Sequence, residues 1–460
     1  MKRTLAALLL IFINFLLYSQ DNYKINGCLD NFNNKEVYLA QVRGSGTRII
    51  DTSIVINRCF NFSLSKSTLP GMYSIILDKR KNAFIRILFN NENIVFHSDF
   101  SRMLESMNFF ESNENRLYYE YSKFIANNNR KADLISRLSG LYKNEDTFFI
   151  SCLDEIKKIN LSLTTEPARM ISEAPATFFA HLLKAQQPIL VPDNLDDQKR
   201  KEFYKEHYLD NIDFNYSPLE NTDLLPSLIK TYISFFKEAG LAFKDQVTSY
   251  LEASDKLISK CKINESMTDF IIKELTEIFR FGDYDIVAAD LTEKYLLPRK
   301  NNSKSEISYY KTTIEKIRRV SVGKPAPEIN FNDSNGNNNR LSEFRDDYIL
   351  VIFWSINCSH CTEMLPELSN IYSLCKDNSI RIIAYSLDTD TKSWNDFLLK
   401  GNYKWTNWND PIGSHSKTVL DYDVTATPSL FLLNKEKVII AKPVDLYELK
   451  EKLISLNILR

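Results

Sequence analysis

The stretch Val351–Pro366, VIFWSINCSHCTEMLP, sets two cysteines three positions apart, between an apolar run and a segment of helical character. The run is YILVIFW, Tyr348–Trp354, whose unbroken hydrophobicity is that of a strand buried on both faces. Past the cysteines, Leu365, Leu368, Ile371 and Tyr372 recur on one side of a helix. Cys358 therefore falls at a helix N-terminus, where unpaired backbone N–H groups and the helix dipole stabilise a thiolate. Cys361 follows one turn later, within bonding reach. Two such cysteines serve as a redox pair, as metal ligands or as a structural staple. Zinc needs about four ligands, yet there is no second pair of this spacing, and the five histidines are scattered at 97, 181, 207, 360 and 415. No metal is expected. A c-type haem would require His immediately after the second cysteine, where Thr362 stands. The tight spacing at a helix start disfavours a purely structural staple. The redox reading makes Cys358 the exposed nucleophile and Cys361 the resolving thiol. Ser359 and His360 lie between them, and His360 can supply positive charge or a hydrogen bond to the Cys358 thiolate.

Strand and helix alternate from Val322 onward. EINF reads as a short strand, NDSNGNNN holds an Asn335-Gly336 hairpin turn, and Ser342 can cap a short helical turn. IRIIAYSL is a second buried strand and KSWNDFLLK a second helix. PSLFLLN and KVIIAK form a hairpin around Asn434, and LYELKEKLISL closes the chain as a helix. The order is β-β-α-β-α-β-β-α, with the cysteines at the end of the first central strand.

That order resembles the thioredoxin superfamily, and within it the exported TlpA/ResA-like thiol-disulfide oxidoreductases, over residues 322–460. The likeness is carried by VGKPAPEINF, by Trp354 ending the strand before the cysteines, and by Pro366 five residues after Cys361. It is carried further by SLDTDTKSWNDF and by YDVTATPSLFLL, which places the family's cis-proline on Pro428 after Thr427. The sequence departs from the family at Asn357, where many relatives have tryptophan, and at Ile352, where thioredoxins carry a buried acid. It also has Glu363 one place early. Ser355 precedes Cys358 by three, as in peroxiredoxins, but the upstream proline of a peroxidase is missing and a second cysteine sits inside the site. The resemblance implies an α/β thioredoxin-like domain at 319–460 with redox-active Cys358 and Cys361. His360 and Ser359, between the cysteines, and Trp354 are read as tuning residues, with plain core packing the alternative for Trp354, and the resemblance lets Thr427 and Pro428 meet the substrate backbone. It implies reduction of protein disulfides without a cofactor, fed by a membrane thiol electron donor. Disulfide oxidation or isomerisation, and a non-catalytic partner-binding module, are the alternatives.

The rest of the 460-residue chain is long enough for further domains. Residues 1–19, MKRTLAALLLIFINFLLYS, have a basic start and a short apolar core, the pattern of a cleaved signal peptide. A periplasmic location follows, with membrane association as a variant. Residues 20–100 read as a small all-β sandwich. EVYLAQV, SIVIN, CFNFSL, MYSIILD and AFIRILF alternate apolar and polar positions between turns. Cys28 and Cys59 both fall on candidate strands of this module, as a disulfide or as two buried thiols. Residues 101–318 read as an all-α domain, with a stripe through Leu134, Leu138, Leu141, Phe148, Phe149, Cys152, Ile156 and Ile159. Pro226 and Pro298 mark breaks. INGCLDN, RIIDTSIVINRCFNF and APATFFAHLLKAQQPILVPD resemble accessory domains of exported proteins of Gram-negative anaerobes, a likeness that implies no chemistry. Dimerisation through these domains is open. His181 and His207 read as ordinary helix residues. The formal net charge of -1 gives no reason to expect nucleic acid as a partner.

Overall fold

The computed structural model describes residues 22–332, 338–376 and 379–459. The leader at 1–19 and the Asn335-Gly336 turn lie outside the described residues. The protein is multidomain, with a β-rich N-terminal part, a helical middle and a C-terminal sheet-and-helix domain. The described residues form two compact units. One runs up to Phe236 and includes Ser259–Phe270, and the other comprises Lys237–Ile258 and Ile271 onward.

In the first unit, eight strands form two four-stranded sheets. They are β1 (Tyr23–Asp30), β2 (Glu36–Arg43), β3 (Gly46–Ile54), β4 (Cys59–Leu64), β5 (Gly71–Asp78), β6 (Ala83–Phe89), β7 (Ile94–Asp99) and β8 (Asn108–Glu111). The sheet orders are β4-β1-β7-β8 and β3-β2-β5-β6. Alternation along the strands sends Ile25, Leu29, Phe60 and Phe62 from one sheet against Val37, Leu39, Ile75 and Ile87 from the other. This is the sandwich expected from the period-two pattern. Gly27 is required in β1, because a Cβ there would stand 2.5 Å from the Phe96 ring. Cys28 and Cys59 face each other across β1 and β4 and are joined as a disulfide. Two details differ from the sequence reading. β3 starts at Gly46, and almost all of it is exposed, so it carries no alternation to read. Strand pairing also continues past residue 100, where β8 adds to β7.

Two 27-residue helices follow, α1 (Asn113–Ser139) and α2 (Thr147–Glu173), then α3 (Phe178–Ala185), α4 (Asp197–His207) and α5 (Leu224–Ser234). The start of α1 is fixed by buried polar groups. The Asn115 side chain bonds both the N–H and the C=O of Leu88 in β6, at 2.8 and 2.7 Å. The Glu114 carboxylate accepts the N–H groups of Phe178 and Phe179 at the N-terminus of α3, at 2.9 and 2.8 Å. A carboxylate so placed satisfies orphan helix donors and opposes the dipole. Of the expected stripe, Cys152 and Ile159 are buried, whereas Leu134, Leu138, Leu141 and Phe148 are exposed. These four lie toward the far end of the α1–α2 hairpin, away from the sandwich contacts at Asn115. Pro226 does not break the chain but sits in the first turn of α5, where its missing N–H is tolerated.

The second unit is built on a five-stranded sheet of order β13-β12-β11-β14-β15. Its strands are β11 (Tyr348–Trp354), β12 (Ile380–Ser386), β13 (Thr406–Asn409), β14 (Ser429–Asn434) and β15 (Ile439–Ala441), with a small hairpin β9 (Asn330–Asn332) and β10 (Asn338–Arg340) ahead of them. β11 is central, parallel to β12 and antiparallel to β14. Its two faces bury alternate residues. Leu350, Ile352 and Trp354 enter one core with Leu365, Leu368, Leu449 and Leu453, while Ile349, Val351 and Phe353 enter another with Tyr385, Tyr422 and Phe431. Helices α10 (Ser359–Ser373), α11 (Thr391–Gly401), α12 (Lys417–Asp421) and α13 (Leu446–Ser455) complete the domain. Strands β10 and β13 and helix α12 add to the expected order. Ser342 lies inside a short 3-10 turn, Leu341–Glu343, rather than capping it.

Of the helices before the sheet, α6 (Phe243–Cys261) and α7 (Glu265–Ile278) each cross the boundary between the units, while α8 (Asp285–Leu291) and α9 (Lys304–Arg319) lie wholly in the second. Polar bonds tie this helical segment to the α/β domain. Arg280 pairs with Asp423 at 2.7 Å, and the fully buried Asp285 holds Lys442 and accepts from Ser321 at 2.8 Å. Replacing both Cys28 and Cys59 by serine should destabilise the β-sandwich by roughly 2–4 kcal/mol. Differential scanning calorimetry of the full chain should show the transition of that part moving down and the transition of the α/β domain staying in place.

Candidate functional site

β11 ends at Trp354 and α10 begins at Ser359, so four residues carry the chain from strand to helix. Cys358 is the N-cap of α10, and its sulfur accepts the Cys361 N–H at 3.3 Å. Across the cleft the Cys358 thiol donates to the carbonyl of Thr427 at 3.2 Å. The Thr427–Pro428 peptide is cis, immediately before β14. Cys358 and Cys361, 69 and 66 residues before Thr427 in sequence, thus share one small volume with it. Cys358 is partly exposed, Cys361 is fully buried, and both are free thiols.

Their environments push the two thiols apart. Desolvation acts to raise Cys358, but hydrogen bonds from the Cys361 thiol, the Thr427 side chain and the backbone N–H groups of Cys361 and His360 outweigh it. The Cys358 thiol is held below its ordinary value. Burial pushes Cys361 up to about 12, and its hydrogen bond to Cys358 adds to the rise. The pair is an accessible thiol inclined to ionise beside an inaccessible one inclined to stay protonated.

The other expected residues are placed as follows. His360 is exposed, and the group it turns to the Cys358 sulfur is its backbone N–H. Ser359 is exposed at the first helical position, and its carbonyl accepts from the Thr362 hydroxyl at 3.0 Å. Trp354 is fully buried in the core with Cys361, its ring 5.6 Å from that of Phe397. Ile352 is buried in the same core, and Glu363 is exposed. Pro366 lies inside α10. Cys152, Cys261 and Cys375 are buried, with Cys261 pushed up to about 12 by desolvation. His181 stacks on Tyr216, and His207 bonds Asp210, both in the helical region. Among the described residues no cluster of His, Cys, Asp or Glu could hold a metal ion.

One residue escaped the sequence reading. Asp388, two residues past the end of β12, is only 3% exposed and collects four donors. Its Oδ1 accepts from the Ser355 hydroxyl at 2.6 Å and the Asn357 amide at 3.3 Å. Its Oδ2 accepts from the Ile356 N–H at 2.9 Å and the Ser386 hydroxyl at 2.7 Å. Asn409 of β13 in turn bonds the Asp388 carbonyl at 2.5 Å. The carboxylate therefore holds the whole turn that delivers Cys358. The available signal was an acid just beyond a buried strand parallel to the one carrying the cysteines, at the strand ends where sites of open α/β sheets gather.

Two outcomes are expected. Iodoacetamide should alkylate Cys358 alone, at a rate that climbs as pH rises through a midpoint below the roughly 8.5 of an ordinary thiol. Peptide mapping by mass spectrometry from pH 5 to 9 reads both the site and the midpoint. Asp388→Ala should cost about 3 kcal/mol, since it leaves buried donors without an acceptor, and a urea titration of the full chain measures that loss.

Residues 322–442 match the AhpC/TSA family, and residues 23–118 match a domain of unknown function, DUF4369. The chain is similar to the thiol-disulfide oxidoreductase ResA of Bacillus cereus, 26% identical over 127 residues, which are 28% of this chain and 72% of that protein. The ResA of Bacillus subtilis is 29% identical over 119 residues, 25% of this chain and 64% of that protein. Among solved structures, the thioredoxin domain of a thiol-disulfide oxidoreductase from Bacteroides vulgatus aligns at 26% identity with a TM-score of 0.28, covering 30% of this chain and 97% of that domain. A central parallel–antiparallel sheet, a cysteine pair at the start of the helix after its middle strand and the matching ResA sequences point one way: residues 322–442 form a thioredoxin-like domain, and the chain is TlpA/ResA-like, similar over that domain to thiol-disulfide oxidoreductases.

Proposed function

We propose that the protein is exported and reduces disulfides of other proteins through Cys358 and Cys361. The observation that carries this reading is the split between the two thiols, one partly exposed and lowered, the other buried and raised to about 12. The Cys358 thiolate attacks one sulfur of a substrate disulfide, and that bond breaks as the Cys358–substrate bond forms. The departing substrate sulfur takes up a proton. Cys361 then loses its proton and attacks the Cys358 sulfur, releasing the second substrate thiol and leaving a Cys358–Cys361 disulfide. Two electrons pass to the substrate. A dithiol donor, held at the membrane in this reading, restores the pair by the reverse exchange. Thr427, whose carbonyl reaches the Cys358 sulfur, offers backbone groups to an extended substrate segment. The basic-apolar leader and the Cys28–Cys59 disulfide favour a compartment where disulfides persist.

A second reading, disulfide oxidation or isomerisation, is favoured by the lowered Cys358 thiol. Stabilising the thiolate stabilises the reduced pair and makes the disulfide a stronger oxidant. Potential and activity separate the readings. The reduced chain should precipitate insulin by reducing its interchain disulfides, Cys358→Ser should abolish this, and Cys361→Ala should accumulate a mixed disulfide visible on a non-reducing gel. An inactive wild-type chain would leave a partner-binding role for the domain. Titration against glutathione should give a potential of roughly −250 to −150 mV, above the −270 mV of thioredoxin. His360→Pro removes the N–H that faces the sulfur, at a first-turn position that accepts proline. It should raise the Cys358 pKa and lower the potential by tens of millivolts, about 30 mV for each 1.4 kcal/mol. His360→Ala keeps the N–H, so a fall as large as that of the proline variant would assign the tuning to the imidazole instead.

A further inference from the structure

A cavity of about 330 Å³ opens beside the loop that faces the nucleophile. One wall is that loop, with Ala426, Pro428 and Ser429, the immediate neighbours of the Thr427 carbonyl that lies 3.2 Å from the Cys358 sulfur. The lining also includes Phe281, from the turn after α7, and Val444, from the segment after β15. Both are large apolar residues left open, Phe281 at 48% and Val444 at 51% exposure. Burying such surface is worth about 25 cal/mol per Å², so a matching apolar group has a reason to enter.

This part of the lining is held in place. Gly282 follows Phe281 at a φ of +91°, and a Cβ there would come within 3.3 Å of Val444. The Asp283 carboxylate accepts the N–H of Lys442, and the Arg280 guanidinium bonds Asp423, which is nearly buried, at 2.7 Å. The cations around the cavity are therefore already engaged, Arg280 by Asp423 and Lys442 by Asp285. A charged side chain entering would give up water and meet groups whose charge is already matched, whereas an apolar one gives up nothing polar.

We infer that Phe281 and Val444 complete a side-chain subsite, continuous with the Thr427–Pro428 loop, that selects protein disulfides carrying a large apolar residue within two positions of the reacting cysteine. This inference rests on the reading of Cys358 as the nucleophile toward protein disulfides. It assigns a substrate-selecting wall to residues 280–282, outside the sheet-and-helix domain that carries the cysteines.

The test uses the full chain, reduced, and two disulfide-linked peptides identical except for leucine or serine at the positions flanking the cysteine. The wild-type chain should reduce the leucine peptide with a kcat/KM about tenfold higher, the effect of partly burying one large side chain. In Phe281→Ala that ratio should fall to threefold or less, and in Phe281→Leu it should stay near the wild-type value. The ratio compares two substrates of the same preparation, so partial misfolding of a variant does not move it. A wild-type ratio near one, or an unchanged ratio in Phe281→Ala, overturns the subsite while leaving the thiol chemistry standing. Hydroxyethyl disulfide reports that chemistry alone. A wild-type chain that reduces neither it nor the peptides overturns the nucleophile assignment and the subsite together.

Discussion

A buried carboxylate with every acceptor position in use is costly to bury and, once satisfied, hard to move. Asp388 is such a group, and the geometry of the cysteine pair depends on it. Its two oxygens take the donors of Ser355, Ile356 and Asn357, the residues between the end of β11 and Cys358, and a fourth from Ser386 of β12. The parallel pairing of β11 with β12, which sets Trp354 opposite Ser386, brings the carboxylate to the turn. The sheet fixes the acid, the acid fixes the turn, and the turn sets Cys358 at the head of α10. The sulfur then meets backbone donors from its own helix and the Thr427 carbonyl from the next chain segment.

The same architecture separates the thiols. α10 packs its apolar side onto the sheet, which carries Cys361 into the core beside Trp354 and Leu365. One helical turn earlier, Cys358 stays at the rim of that core. Unequal burial and unequal hydrogen bonding along a single turn are enough to make one sulfur the better nucleophile and the other the better reserve. Charged pairs tie the preceding helical segment to the domain, Arg280 to Asp423, Arg319 to Asp421 and Asp285 to Lys442.

Much of this was legible in the sequence, because the informative residues are local. YILVIFW reads as a two-face-buried strand without help, and it is β11. The cysteine spacing at a helix start gives the N-cap thiol, and Thr427–Pro428 is found where family likeness puts it. What escaped depends on residues brought together by the fold. Thr406 to Asn409, written TNWN, is a four-residue edge strand with three polar side chains, too short and too polar to show a period. Asp388 looks like any turn acid until its donors are seen. The α1–α2 stripe has a clear period, but periodicity states which side chains share a face, not whether anything covers that face. Trp354 was open between tuning and packing, and its place in the core gives it packing contacts first.

The distribution of sulfur has a consequence for how the molecule meets other proteins. Five cysteines lie outside any disulfide, and four of them, Cys152, Cys261, Cys361 and Cys375, are buried. Cys28 and Cys59 are bonded to each other. The folded chain thus presents a single sulfur, Cys358, as its port for covalent contact. Under the proposed dithiol exchange, a disulfide to another chain forms there, next to the thiol that undoes it. Stray cross-links are then self-clearing, and a persistent covalent adduct of the folded protein reports a failure of that exchange rather than a second reactive site.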